Sequence, residues 1–82
     1  MDIAVDISLY PLRSDFEPPV EDFIERLQRD PTLKVVSNSL GTQLSGPYDR
    51  VMAALTRELR PSFEGDSKSV FVLKVLGPLP AC

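Results

Sequence analysis

The chain has 82 residues, of which 43% are hydrophobic, and a formal net charge of −3 at pH 7. This length suffices for one domain, so we expect residues 1–82 to form a single globular domain rather than a disordered chain. The basic residues are scattered without a cluster, which argues against a nucleic-acid-binding protein. No apolar run approaches the roughly 18 residues of a membrane span, and the acidic beginning is unlike a secretory signal. We therefore expect no membrane insertion.

Histidine is absent, and cysteine occurs once, as Cys82. A single cysteine forms neither an intrachain disulfide nor a zinc site, which fits a cytoplasmic protein, and we expect Cys82 to be a disordered terminal thiol. Without histidine the chain lacks the commonest general base and metal ligand. No Ser-Lys motif and no glycine-rich phosphate loop is present. The sequence therefore predicts no enzyme, no metal site and no cofactor.

The first half of the chain predicts a strand, a helix and a second strand. Residues 3–9 alternate between apolar and polar, which is the period of a half-buried strand, and Pro11 ends it. The proline pair at residues 18–19 opens a helix, and the Asp-Pro pair at residues 30–31 ends it. Residues 33–39 are expected to form the second strand. The apolar stripe of the helix has i, i+3, i+4, i+7 spacing and consists of Val20, Phe23, Ile24 and Leu27.

The second half predicts a strand, a helix and a last strand. Residues 42–45 follow the second strand closely enough to form an antiparallel hairpin with it. A second helix then begins, with Ser45 or Gly46 as its cap, and Pro61 ends it. Residues 69–76 predict a fourth strand that is apolar on both faces. The buried stripe of the second helix is expected to comprise Tyr48, Val51, Met52, Leu55 and Leu59.

The element order β-α-β-β-α-β predicts an α+β, ferredoxin-like sandwich, with four antiparallel strands and both helices on one face of the sheet. The other face is then uncovered by this chain, and the fourth strand would expose apolar side chains there. Because contiguous exposed apolar surface usually marks an interface, we expect a homodimer or higher homo-oligomer. Asp6 should lie on the uncovered face, where Lys34 or Lys74 is its expected partner.

Candidate ligand-binding residues gather at the exit of the first strand, where α/β folds commonly build such sites. Ser8, Tyr10 and Asp15 lie there. Tyr10 either covers the edge of the core or forms an aromatic wall for a flat ligand. Asp15 either caps the first helix or its loop, or offers a negative charge to a cationic or amine-bearing ligand. In the third strand, strand propensity explains Thr42, while Gln43 and Ser45 on the opposite face offer donors to a ligand.

Three segments resemble the YkoF-like family, whose members bind thiamine or hydroxymethylpyrimidine. Residues 7–12 (ISLYPL), followed by Asp15 and Phe16, resemble the first strand and loop of that family. Residues 41–52 (GTQLSGPYDRVM) are similar to its third strand and second helix, and residues 75–78 (VLGP) to the end of its fourth strand. The resemblance covers nearly the whole chain in the same element order. It implies a ferredoxin-like fold that binds its ligand without turning it over.

The resemblance also implies which residues bind the ligand. Tyr10 and Phe16 would flank the pyrimidine ring, and Asp15 would meet the amine or the thiazolium cation. Ser8 and Thr42 would orient the pyrimidine nitrogens. The loop at residues 62–67 departs from the family pattern, which leaves its part in the site open. The full implied set is Ser8, Tyr10, Asp15, Phe16, Thr42 and Leu44.

Two functions are therefore expected from different classes. The first is a cytoplasmic carrier, buffer or sensor that binds thiamine or its hydroxymethylpyrimidine precursor. Some members of the resembled family carry two tandem copies of the domain, and a homodimer of this chain would supply the second copy. The alternative is a regulatory or structural oligomerisation module without a ligand of its own. A cleft at the strand exit would favour the first, and a site filled by Leu, Val and Met would favour the second.

Overall fold

The elements follow one another in the order βαββαβ, in a computed structural model that describes residues 1–15, 17–65 and 68–80. The single antiparallel sheet has the strand order β2-β3-β1-β4. This confirms the predicted α+β ferredoxin-like sandwich. Within the described ranges, no helix is long and apolar enough to cross a membrane. The elements are β1 (Asp2–Pro11), α1 (Glu17–Gln28), β2 (Lys34–Asn38), β3 (Gly41–Pro47), α2 (Tyr48–Phe63) and β4 (Ser69–Leu76). The prediction for Cys82 lies outside the described residues.

The central strand β1 separates the two faces of the sheet. Its odd-numbered side chains Ile3, Val5 and Ile7 are at most 4% exposed and point toward the helices. Its even-numbered side chains point to the opposite face, which we call the open face because no helix covers it. The alternation therefore buries one face and leaves the other to solvent, as the sequence predicts.

The hydrophobic core lies between the sheet and the two helices. Phe23 packs its ring 5.0 Å from that of Phe71, centroid to centroid, which ties α1 to β4. β3 contributes one fully buried side chain, Leu44. The remaining buried residues from the helices are Leu27, Val51, Ala54 and Leu55.

The two helices are joined by a half-buried arginine. The guanidinium of Arg26 donates to the backbone carbonyl of Glu58 at 2.7 Å and to the hydroxyl of Ser62 at 3.0 Å. It also forms an ion pair with Asp22 at 3.0 Å. The Glu58 carboxylate is largely buried and accepts a 2.7 Å bond from Arg57. A buried carboxylate is strongly disfavoured unless it is paired, and Arg57 and Arg26 provide that pairing.

Both predicted boundaries of α2 are wrong. Ser45 and Gly46 belong to β3, and the N-cap residue is Pro47, which makes no side-chain cap bond. The helix begins at Tyr48, whose N–H donates to the carbonyl of Met1 at 2.9 Å. Pro61 lies inside the helix, because a proline removes one helical hydrogen bond without forbidding a further turn. That last turn closes through a 3.0 Å bond from the Glu64 N–H to the Arg60 carbonyl.

The buried stripe of α2 is also rotated from the predicted one. Tyr48 and Met52 are 43% and 38% exposed. The buried positions have i, i+3, i+4, i+7 spacing and include a small and a charged residue, which an apolar pattern passes over. They are Val51, Ala54, Leu55 and Glu58.

The strands β1 and β3 are longer than predicted. β1 begins at Asp2 and includes Pro11, which pairs with Ser69. A proline is tolerated at a strand end, where the missing N–H is not needed. β3 begins at Gly41 and runs to Pro47, and β2 is shortened to Lys34–Asn38. The fourth strand has the predicted bounds.

The loop after α1 holds an aspartate with a shifted pKa. The Asp30 carboxylate accepts bonds from the hydroxyl and the N–H of Thr32, at 2.6 and 2.9 Å. Arg57 from α2 approaches its other oxygen at 3.4 Å. These bonds, with the Thr32 hydroxyl foremost, hold the pKa of Asp30 below its ordinary value of 3.8. The ionised carboxylate therefore stabilises the turn between α1 and β2.

Replacing Gly77 by alanine is expected to destabilise the fold. A Cβ at this position would lie 2.6 Å from Cγ2 of Ile3, a core side chain. The overpacking should cost about 1–3 kcal/mol of the free energy of unfolding, measured by urea denaturation. Gly65→Ala is the matched control, since its nearest atom would be 3.6 Å away. Equal stabilities of the two variants would contradict this packing.

Asp30→Asn is expected to change how the free energy of unfolding depends on pH. Because the folded pKa is lowered, the carboxylate stabilises the fold above its unfolded pKa, and this contribution is lost as the pH falls through the folded pKa. The variant should therefore be less stable than the parent at neutral pH and lose less stability below the ordinary value of 3.8. Urea unfolding at a series of pH values measures this. Thr32→Val, which keeps the backbone N–H donor, should give a smaller effect in the same direction. If the free energy of unfolding changes with pH in the same way in the parent and both variants, the lowered pKa of Asp30 is refuted.

Candidate functional site

An open cleft of about 690 Å³ lies at one end of the sheet, between the start of α1, the end of β1 and the β2–β3 hairpin. Small-molecule sites commonly have volumes of roughly 300–1,000 Å³. Its walls combine apolar, hydroxyl, amide and carboxylate groups. The lining residues are Ile7 to Pro11 from β1; Glu17, Val20, Glu21, Phe23 and Ile24 from α1; and Ser37 to Thr42 from the hairpin.

The cleft exists because β1 is longer than its neighbour on one side. β1 pairs with β3 only as far as Ile7 and Thr42, whereas it pairs with β4 as far as Pro11 and Ser69. From Ser8 onward, β1 therefore has a strand partner on the β4 side alone, as far as the described residues show. The vacated edge offers backbone donors and acceptors, as unpaired strand edges do. A ligand in the cleft can bind these groups directly.

The hairpin forms the second wall, and a glycine brings it close to β1. The Asn38 side chain accepts a 2.8 Å bond from the N–H of Leu40 and so holds the turn. Gly41 has φ +151°, and a Cβ there would lie 3.4 Å from the Ser8 hydroxyl oxygen. The Ser37 and Thr42 hydroxyl oxygens are 3.2 Å apart within the same wall. The hairpin thus lies close to β1 at Ser8, and its own wall carries the paired hydroxyl groups of Ser37 and Thr42.

The third wall is the first turns of α1. Val20 and Ile24 are half-buried and face the cleft with apolar side chains, above the buried ring of Phe23. Glu17 and Glu21 stand four residues apart, on one side of the helix, and both line the cleft. They are the only charged residues among those that line it in the described chain. The cleft therefore presents negative charge beside apolar surface, which suits a cationic ligand with a flat apolar part.

The structure brings three of the predicted site residues together. Ser8, Tyr10 and Thr42 line the cleft. Tyr10 is 54% exposed, so its ring is available to a ligand rather than covering the core. Thr42 is buried at 5% exposure, and its hydroxyl lies beside Ser37.

Two other predicted residues, Leu44 and Asp15, lie outside the lining of the cleft. Leu44 is 1% exposed and belongs to the core beneath the helices, since it lies on the buried face of β3. Asp15 is outside the cleft lining, and its exposed carboxylate lies 3.7 Å from Arg13. The position predicted for Phe16 lies outside the described residues. Neither Leu44 nor Asp15 is therefore placed where it contacts a molecule in the cleft.

Sequence reasoning missed the two glutamates. In the sequence, Glu21 stands with Asp22 and Glu25 among charged residues that are typical of the solvated face of a helix. The available signal was position, since Glu17 and Glu21 lie in the first turns of a helix that begins just after the strand exit. Side chains in those turns face the same end of the sheet as the exit of β1.

Asp6 lies on the open face beside a glutamine rather than in the predicted ion pair. Its register partners are Gln43 on β3 and Lys74 on β4. The Gln43 amide donates to the Asp6 carboxylate at 3.3 Å. Among the described residues, no carboxylate lies within 4.0 Å of the amino groups of Lys34 or Lys74. A hydrogen bond thus takes the place of the expected lysine partner.

Comparisons with solved structures show the fold clearly. The chain is similar to a protein of Streptococcus pneumoniae, with a TM-score of 0.84 and 21% identity over 96% of this chain and 89% of that chain. It is also similar to a hypothetical protein of Methanocaldococcus jannascii, with a TM-score of 0.82 and 23% identity over 98% and 84% of the two chains. No family model and no curated protein matches the sequence.

A further similar structure carries a functional description. It is a protein of Thermotoga maritima that is provisionally assigned to thiamine biosynthesis or salvage. The TM-score is 0.80 at 17% identity, over 92% of this chain and 82% of that chain. At these identities the likeness shows a shared ferredoxin-like fold.

Proposed function

We propose that this chain is a cytoplasmic, non-catalytic binding protein of the YkoF-like kind, which takes up thiamine or its hydroxymethylpyrimidine precursor as a carrier, buffer or sensor. The observation that carries the proposal is the cleft at the exit of β1, where an exposed tyrosine, hydroxyl groups and two glutamates meet. The Thermotoga maritima description adds support from a protein of the same fold.

The chemistry of thiamine matches these walls. Its aminopyrimidine ring is flat and carries donors and acceptors on its edge, so it can stack on Tyr10 while Ser8 and Thr42 bind its nitrogens. Its thiazolium ring is a cation, and Glu17 and Glu21 provide the opposite charge. The free backbone edge of β1 offers further polar partners. Asp15 and Phe16 remain candidates from the family resemblance alone.

A ligand-free oligomerisation module is the second candidate. The exposed apolar side chains of β4 favour it, since Val75 and Leu76 are 58% and 66% exposed. An interaction module without a ligand would, however, fill the strand exit with Leu, Val or Met. The cleft found there instead favours the binding protein. The exposed strand is explained if the binding protein acts as a homodimer or higher homo-oligomer, which we include in the proposal.

Calorimetric titration with thiamine and with hydroxymethylpyrimidine tests the proposal. We expect saturable binding of at least one of them, at about one ligand per chain. Tyr10→Ala should weaken binding roughly tenfold, because stacking of a base on an aromatic side chain contributes about 1–3 kcal/mol. It should change the melting temperature little, since the ring is largely exposed. Tyr48→Ala, which removes an exposed tyrosine outside the cleft, is the matched control.

Each result of this titration has a definite meaning. If neither compound binds to the folded protein, the ligand assignment fails and the oligomerisation module takes its place. If Tyr10→Ala lowers the melting temperature strongly while affinity stays the same, Tyr10 is a structural residue and the cleft is not the site.

The charge preference of the site is expected to come from the glutamates of α1. The double variant Glu17→Gln/Glu21→Gln should weaken binding of thiamine about three- to tenfold, since exposed charge pairs contribute up to about 1 kcal/mol each. Binding of the neutral hydroxymethylpyrimidine should change less. Titrations at low and high salt measure the difference, because added salt should reduce the preference for the cation.

Asp15→Asn is the matched control for this experiment. Its carboxylate is exposed and outside the cleft lining, so its neutralisation should leave both affinities near those of the parent. The opposite pattern, with Asp15→Asn selective against thiamine and the double variant silent, would return the cation contact to Asp15 and refute the role of the glutamates.

A further inference from the structure

On the open face of the sheet, large apolar side chains of β4 form a raised strip, and small side chains of β1 form a trough beside it. β4, at the edge, presents the apolar side chains of Val70, Val72 and Leu76, which are 44%, 49% and 66% exposed. In register beside Leu76 and Val72, β1 presents the small side chains of Ala4 and Ser8, whereas Val70 lies beside Tyr10. The branched side chains of Leu76 and Val72 therefore stand directly beside a shallow trough. Such a surface can pack against a copy of itself, with the strip of one copy in the trough of the other.

The same two strands also carry opposite charges in register. Asp6 lies in the trough on β1, and Lys74 lies opposite it on β4. They form no ion pair within 4.0 Å in the described part of the chain, and Asp6 has only a long 3.3 Å bond from Gln43. Both charges stand on a largely uncovered face. A partner with the complementary arrangement would bind both at once.

We propose that a second copy of this chain covers this strip, related by a two-fold axis that runs along the strands between β1 and β4. Rotation about such an axis exchanges β1 and β4 but keeps each residue at its height along the strands. Lys74 of each copy then faces Asp6 of the other, which makes two reciprocal ion pairs. At the neighbouring heights, Leu76 faces Ala4 and Val72 faces Ser8, so that a large side chain meets a small one.

Charge decides between this axis and its nearest alternative. An axis through β1 itself would place Asp6 against Asp6 of the other copy, and like charges across an interface are strongly unfavourable. The axis between β1 and β4 also covers Val70, Val72 and Leu76, the exposed apolar side chains of β4 on the open face. It overlaps two of the four strands, which is a small contact, so we expect a dimer that dissociates on dilution.

The proposal names the interface of the homo-oligomer proposed above, and it does not depend on the ligand. Its test is sedimentation of the ligand-free protein over a range of concentrations, with three charge variants. Asp6→Lys and Lys74→Asp each make both cross pairs repulsive and should raise the dimer dissociation constant roughly a hundredfold. Lys34→Asp makes the same change of charge as Lys74→Asp, on the open face but outside the two overlapping strands. This variant should therefore dimerise like the parent.

A mixture of two variants separates contacts between copies from contacts within one copy. In a 1:1 mixture of Asp6→Lys and Lys74→Asp, both cross pairs are attractive again, although each copy alone keeps its like-charge neighbours. We expect the mixture to form a heterodimer with an affinity near that of the parent. Circular dichroism and melting temperatures confirm that each variant is folded.

The results distinguish a failure of this interface from a failure of the proposed homo-oligomer. A monomeric parent at all concentrations would overturn both the homo-oligomer and the interface. A dimer that survives in Asp6→Lys or Lys74→Asp, or a mixture that stays monomeric, would overturn the interface alone. If Asp6→Lys does not fold, Asp6→Asn and Lys74→Gln replace the charge reversals. Each should weaken the dimer several-fold, and unchanged affinity would equally refute the pairing.

Discussion

The alternation of side chains along β1 is the constraint on which the rest of the structure depends. β1 is a central strand that pairs with β3 from Asp2 to Ile7 and with β4 from Ala4 to Pro11. Its odd-numbered residues Ile3, Val5 and Ile7 form the centre of the core. A slip of one residue would bury Asp6 beneath the helices and expose three core side chains. The register of β1 thus fixes at once the core, the open face and the direction in which Ser8 and Tyr10 point.

The cleft follows from a second property of the same strand, its length. β4 accompanies β1 to its end, while β3 stops at the tight turn that leads back to β2. α1 borders the space that β3 leaves. Its first turns supply apolar and acidic side chains there. The cleft therefore combines polar groups of an interrupted sheet with acidic and apolar side chains of a helix.

Local patterns predicted the fold well because each strand and helix has a clear periodicity. The alternation in β1 and the apolar stretch of β4 placed both strands nearly correctly, and the stripe of α1 placed Phe23 and Leu27 in the core. The failures have one physical origin, since they depend on contacts that no local pattern contains. Tyr48 begins α2 because its N–H reaches the carbonyl of Met1.

The candidate site was predicted less completely for the same reason. Ser8, Tyr10 and Asp15 were predicted from their place at the exit of the first strand, but only Ser8 and Tyr10 belong to β1 and line the cleft. Thr42 and Leu44 were selected by likeness of local sequence, which does not determine how near a residue of β3 lies to the cleft. The position of Glu21 depends on how α1 crosses the sheet, and that crossing is set by the packing of Phe23 and by the bonds of Arg26 to α2.

Ser8 and Tyr10 connect the proposed ligand site with the proposed interface between copies. Both border the cleft, and both have register partners on β4 whose side chains are exposed on the open face, Val72 and Val70. A molecule that rests against Tyr10 and a protein that covers β4 therefore meet at neighbouring side chains. A substitution at Ser8 or Tyr10 can therefore change ligand affinity through the cleft or through the interface. Its effect on affinity can be interpreted only when the oligomeric state of the same variant is measured as well. Glu21, on the helical wall away from the open face, carries no such ambiguity, and its substitution reports on the cleft alone.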